Sequence, residues 1–82
     1  NTKINMNNKD FENKVKKIIK KYKNVNFLIN DDLYKKGIID SLDLMNIVTD
    51  IEDKFNIRLN LAKEKKFLFS VRNLARKINS KN

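Results

Sequence analysis

The residues of this chain best placed to do chemistry are Asp40-Ser41-Leu42-Asp43, one hydroxyl held among carboxylates. From Ser41 onward, Leu44, Ile47, Val48, Ile51 and Phe55 recur at the spacing of one helical face. The spacing predicts a helix over 41–55 with the tetrapeptide at its start. A helix start leaves backbone N–H groups without intrahelical partners, and either Asp40 or Ser41 can accept from them. Asp43 adds negative charge at the positive end of the helix dipole. Two readings of Ser41 follow. In one it is a cap and nothing more. In the other its hydroxyl is presented for another enzyme to modify, and a phosphate ester there would lie beside free N–H groups and the dipole end. The readings are compatible, because a capping position is also a surface position.

Composition narrows what else the chain can do. Eighty-two residues make one small domain. There is no cysteine and no histidine, which removes disulfides, thiolate metal sites and the commonest general base. A self-sufficient hydrolase or metalloenzyme is hard to build from the remainder. No apolar run approaches the roughly 18–20 residues that span a bilayer, and the first ten residues lack the apolar segment of a signal peptide. These features predict a soluble, cytoplasmic protein. Residues 1–7 are expected to be a frayed leader or added remnant ahead of a domain over 8–79, and 80–82 are expected to fray.

The formal charge of +9 points toward nucleic acid or an anionic membrane as partners. Its distribution says otherwise. From Asp31 to Asp53 there are seven acids and two bases, a local net of −5, while the rest holds 17 bases and three acids. The chain is bipolar, with an acidic middle around Ser41.

Asp32-Leu33, Gly37, Asp40-Ser41-Leu42-Asp43 and the face ending Ile51-Glu52-Asp53-Lys54-Phe55 together resemble the acyl carrier protein family, over about residues 11–78. The resemblance implies an all-α four-helix bundle with three longer helices and a short third one. It implies 4′-phosphopantetheine on Ser41, taken from coenzyme A by a phosphopantetheinyl transferase, with Asp40 and Leu42 flanking the attachment. With no cysteine in the chain, that group would supply the thiol for a thioester. Leu42 and Met45, ringed by Asp43, Asp50 and Asp53, would form the docking surface for acyl- or aminoacyl-activating and transferring enzymes. The alternative for Leu42 and Met45 is partial burial against the preceding loop. No metal, nucleic acid or stable membrane insertion is expected, and the chain is expected to be a monomer. Its strongly basic remainder departs from the family, whose members are usually acidic. The competing reading is a basic helical module for nucleic acid or anionic lipid, with Ser41 a bare cap.

The positioning elements follow from the same periodicities. Phe11, Val15, Ile18, Ile19 and Tyr22 predict a first helix over about 8–22, capped by Asn7 or Asn8, its other faces filled with lysines. The long loop to Asp40 should be pinned by Phe27, Leu28, Ile29, Leu33, Ile38 and Ile39, with a short turn capped by Asn30 or Asp31. Gly37, the chain's one glycine, suits a positive φ. Ile57 and Leu59 alternate as a segment tucked inward. A brief helix is expected over 61–66. Phe67, Leu68 and Phe69 should seal the core or line a cavity, and Ser70 should cap a last helix with Val71, Leu74, Ala75 and Ile78 inward.

Overall fold

The computed structural model describes residues 7–61 and 66–81, and those residues are all-α with no strand. The described residues form three helices: α1 (Asn8–Tyr22), α2 (Ser41–Phe55) and α3 (Val71–Lys81). The brief helix expected over 61–66 falls almost entirely outside the described residues.

Each helix is set by its cap and its apolar stripe. At α1, Asp10 N–H donates to Asn7 Oδ1 at 2.9 Å and Asn7 N–H donates back to Asp10 Oδ2, a reciprocal capping box. Asn7 is thus the cap of α1, one of the two the sequence offers. Ser70 Oγ accepts from Asn73 N–H at 3.1 Å and starts α3 as the spacing predicts. That helix runs on to Lys81, so residues 80 and 81 are helical where fraying was expected. α2 ends where Asn56 turns left-handed at φ 55°, a conformation Asn tolerates better than most residues.

The stripes meet in one core. Phe11, Val15, Ile18 and Ile19 of α1 pack with Ile47 and Ile51 of α2 and with Val71, Leu74, Ala75 and Ile78 of α3. Burying each of the larger side chains stabilises the fold by about 1.5–3 kcal/mol. α1 lies between the other two and runs antiparallel to both. The Phe11 and Phe55 rings meet edge to face at 5.7 Å, placing the end of α2 at the start of α1. Asn79 of α3 donates to Asn8 at that same end.

The long loop is packed, as its apolar residues required. Leu33 and Ile39 are buried, and Leu33 N–H donates to Phe69 O while Arg72 N–H donates to Ile29 O. Leu28, expected to help pin the loop, is instead exposed. Asp32, not Asn30 or Asp31, caps the turn after it: Lys35 N–H donates to Asp32 Oδ1 at 3.0 Å. Asp31 closes the preceding turn by accepting from Leu28 N–H at 2.8 Å. Gly37 adopts φ +74°, and a Cβ there would meet nothing within 4 Å, so the need for glycine is conformational. Leu59 is buried and its N–H donates to Glu52 Oε2 at 2.9 Å, tying the connector to α2. The apolar triplet divides: Phe69 is in the core, Phe67 is half-buried with its ring against Phe69, and Leu68 is exposed.

Candidate functional site

Asp40, not Ser41, is the N-cap of α2. Its extended backbone (φ −97°, ψ −177°) leads into the helix, and Asp43 N–H donates to Asp40 Oδ1 at 2.8 Å. Asp40 N–H donates back to Asp43 Oδ2 at 3.4 Å. The two carboxylates that flank Ser41 are thus spent on a reciprocal capping box of the same form as that at α1. The Asp43 N–H bond holds the Asp40 carboxyl below the usual carboxylate range, and Lys23 pulls it the same way.

Ser41 is left at the first helical position, exposed, with the capping role taken by its neighbour. This alters the anion-site argument. The first-turn N–H groups expected to be free already face the Asp40 carboxylate. A phosphate ester on Ser41 would share the helix end with the Asp40 carboxylate, which already holds the Asp43 N–H. A covalently held group needs no N–H nest, so the residues present fit a group attached through Ser41 Oγ.

Around Ser41, Leu42 and Met45 stand 66% and 64% exposed, which removes the alternative of burial against the loop. The acidic ring expected around them is not assembled. Asp50 turns toward α1, where its Oδ2 meets Lys21 Nζ at 2.8 Å and accepts the Tyr22 hydroxyl. Lys21 first and then Tyr22 hold the Asp50 carboxyl below its ordinary range, and the hydrogen bonds to Asp50 in turn raise Lys21 and Tyr22. Asp43 lies 3.6 Å from Lys23 Nζ. Of the three acids only Asp53 is exposed and without an ion pair among the described residues. The surface beside Ser41 is thus an apolar pair with a largely neutralised acidic border, because the last turn of α1 brings its lysines to the acids of α2.

A cavity of about 670 Å³ lies between α2, the turn after Asp32 and the segment leading to α3, and the sequence offers only the 67–69 triplet as a sign of it. Leu44, Met45, Val48, Leu61, Phe67 and Phe69 supply its apolar lining. Asp32, Lys35, Glu52 and Arg58 contribute charged groups of both signs. Met45, one turn on from Ser41, belongs both to the exposed pair and to this lining. Leu44, Val48 and Phe67 are half-buried beside it, and of the triplet expected in the core or at a cavity, Phe67 and Phe69 line it while Leu68 does not.

Among the described residues no helix is long and apolar enough to cross a membrane. Compared with known proteins, the chain matches no family model, no curated protein and no solved structure.

Proposed function

We propose that this chain is a carrier protein of the acyl carrier type, modified on Ser41 with 4′-phosphopantetheine from coenzyme A, and that its full fold is the four-helix bundle of that family. The observation that carries the reading is the division of labour at the start of α2. Asp40 and Asp43 hold the helix end between them, and the Ser41 hydroxyl stands exposed with no capping task.

In this reading Ser41 Oγ attacks the pantetheine-bearing phosphorus of coenzyme A in the active site of a separate phosphopantetheinyl transferase that brings its own Mg²⁺; the new O–P bond replaces the phosphoanhydride bond, 3′,5′-adenosine bisphosphate leaves, and the hydroxyl proton passes to a base of that enzyme. Asp40 fixes the first turn so that Ser41 faces outward, and its depressed carboxyl stays ionised at neutral pH. Leu42 and Met45 give partner enzymes an apolar contact that is made and broken quickly. The attached arm supplies the thiol on which an acyl or aminoacyl group travels as a thioester. The cavity beside Met45 favours a cargo with an apolar portion. The chain itself catalyses nothing, and it works in the cytoplasm among activating and transferring enzymes. The test is addition of one phosphopantetheine by a permissive transferase with coenzyme A, lost in Ser41→Ala.

A further inference from the structure

We propose that the outer side of α1, together with the turn at Val25–Leu28, is a docking surface for an anionic lipid bilayer. The proposal does not rest on the arm at Ser41.

Charge is the first observation. Lys9, Lys16, Lys17 and Lys20 lie on the side of α1 away from its buried stripe. Lys54 of α2 adds to them, closing a small cavity of about 190 Å³ with Lys14, Lys17 and Lys21. Among the described residues only Lys21 of this group is ion-paired to a carboxylate.

The second observation is independent of charge. Val25 is 47% exposed and Leu28 70% exposed, in the turn that follows α1. Single exposed apolar residues are ordinary. Here the turn lies beside the cations: Lys20 Nζ reaches the Val25 carbonyl at 3.4 Å and lies 5.5 Å from the centroid of the Phe27 ring, and Leu28 follows Phe27 directly in the chain. The nearest acid of that turn, Asp31, is offset by Lys36 at 2.9 Å. A lysine-covered helix ending in an apolar tip matches a surface of phosphate headgroups over hydrocarbon. Nucleic acid would use the lysines but gain nothing from Leu28. The patch also has no arginine for base edges and no exposed aromatic for stacking.

The experiment is co-sedimentation of the full chain with phosphatidylcholine vesicles, with and without phosphatidylglycerol, and in parallel with a DNA duplex. Binding is expected only to the anionic vesicles and should weaken as salt is raised. Lys16→Gln with Lys17→Gln should lower partitioning by roughly 25-fold, about fivefold per lysine. Leu28→Asp should lower it about tenfold or more. Ser41→Ala should bind as the parent does, which separates this result from the carrier reading. All these positions are at least partly solvent-exposed, and circular dichroism checks that each variant is folded. Failure to bind anionic vesicles, binding to the duplex alone, or vesicle binding indifferent to Leu28→Asp would each overturn the proposal.

Discussion

Two serines open helices in this chain, and the same substitution at each should give different results. Ser70 is 1% exposed, and its Oγ accepts Asn73 N–H at 3.1 Å. Truncating it to alanine removes a cap, a loss of about 1 kcal/mol. It also leaves a part-buried N–H without its acceptor, which raises the total to about 1.5–2 kcal/mol. For a chain this small the urea slope is roughly 1 kcal/mol/M, so the midpoint of Ser70→Ala should fall by about 1.5–2 M. Ser41 is exposed and its helix is capped by Asp40, so Ser41→Ala should stay within about 0.5 kcal/mol of the parent. The assay is urea unfolding followed by far-UV circular dichroism, with the slope unchanged between variants. Equal losses at the two serines would show that the Ser41 hydroxyl has a structural task, and the division of labour argued above would be wrong.

Two further outcomes follow from the same geometry. Asp31, Asp40 and Asp50 are all held below the ordinary carboxylate value, chiefly by the Leu28 N–H, the Asp43 N–H and Lys21 respectively. A lowered folded value means their contribution is complete above the unfolded Asp value of about 3.9 and is lost as pH falls below it through the folded values. Stability should therefore drop on the acid side below about pH 4, and Asp50→Asn should flatten that limb in unfolding curves taken across pH. Gly37→Ala should cost about 1–2 kcal/mol through its φ of +74° alone, since a Cβ meets no neighbour there. Gly37→Asn should cost less, and a thermal melt of both variants checks the order.

Much of the fold was legible because single side chains decide it locally. Phe11, Val15, Ile18 and Ile19 mark the face of α1, and the run from Leu44 to Phe55 marks that of α2, without reference to anything distant. Gly37 and Ser70 were legible for the same reason. At the site, the exposure of Ser41, Leu42 and Met45 agrees with their place on the outer side of the helix. The choice between Asp40 and Ser41 as cap stayed open because both types accept the same hydrogen bonds. The signal that resolves it is an acid three residues on, Asp43 after Asp40 as Asp10 after Asn7, where Ser41 has Leu44. The fate of Asp50 could not be read locally. Lys21 and Tyr22 are nearly thirty residues away in the chain and reach it only through antiparallel packing of α1 on α2. The cavity is likewise a product of three segments that no local pattern brings together.

The central claim is that one hydroxyl, relieved of capping, is there to be modified. Intact-mass spectrometry of the full chain, before and after incubation with coenzyme A, Mg²⁺ and a permissive phosphopantetheinyl transferase, tests it most directly. The expected result is a gain of one phosphopantetheine, mapped to the peptide containing Ser41 and missing from Ser41→Ala. An unchanged mass in natively folded protein, or an addition that persists in Ser41→Ala, would contradict it.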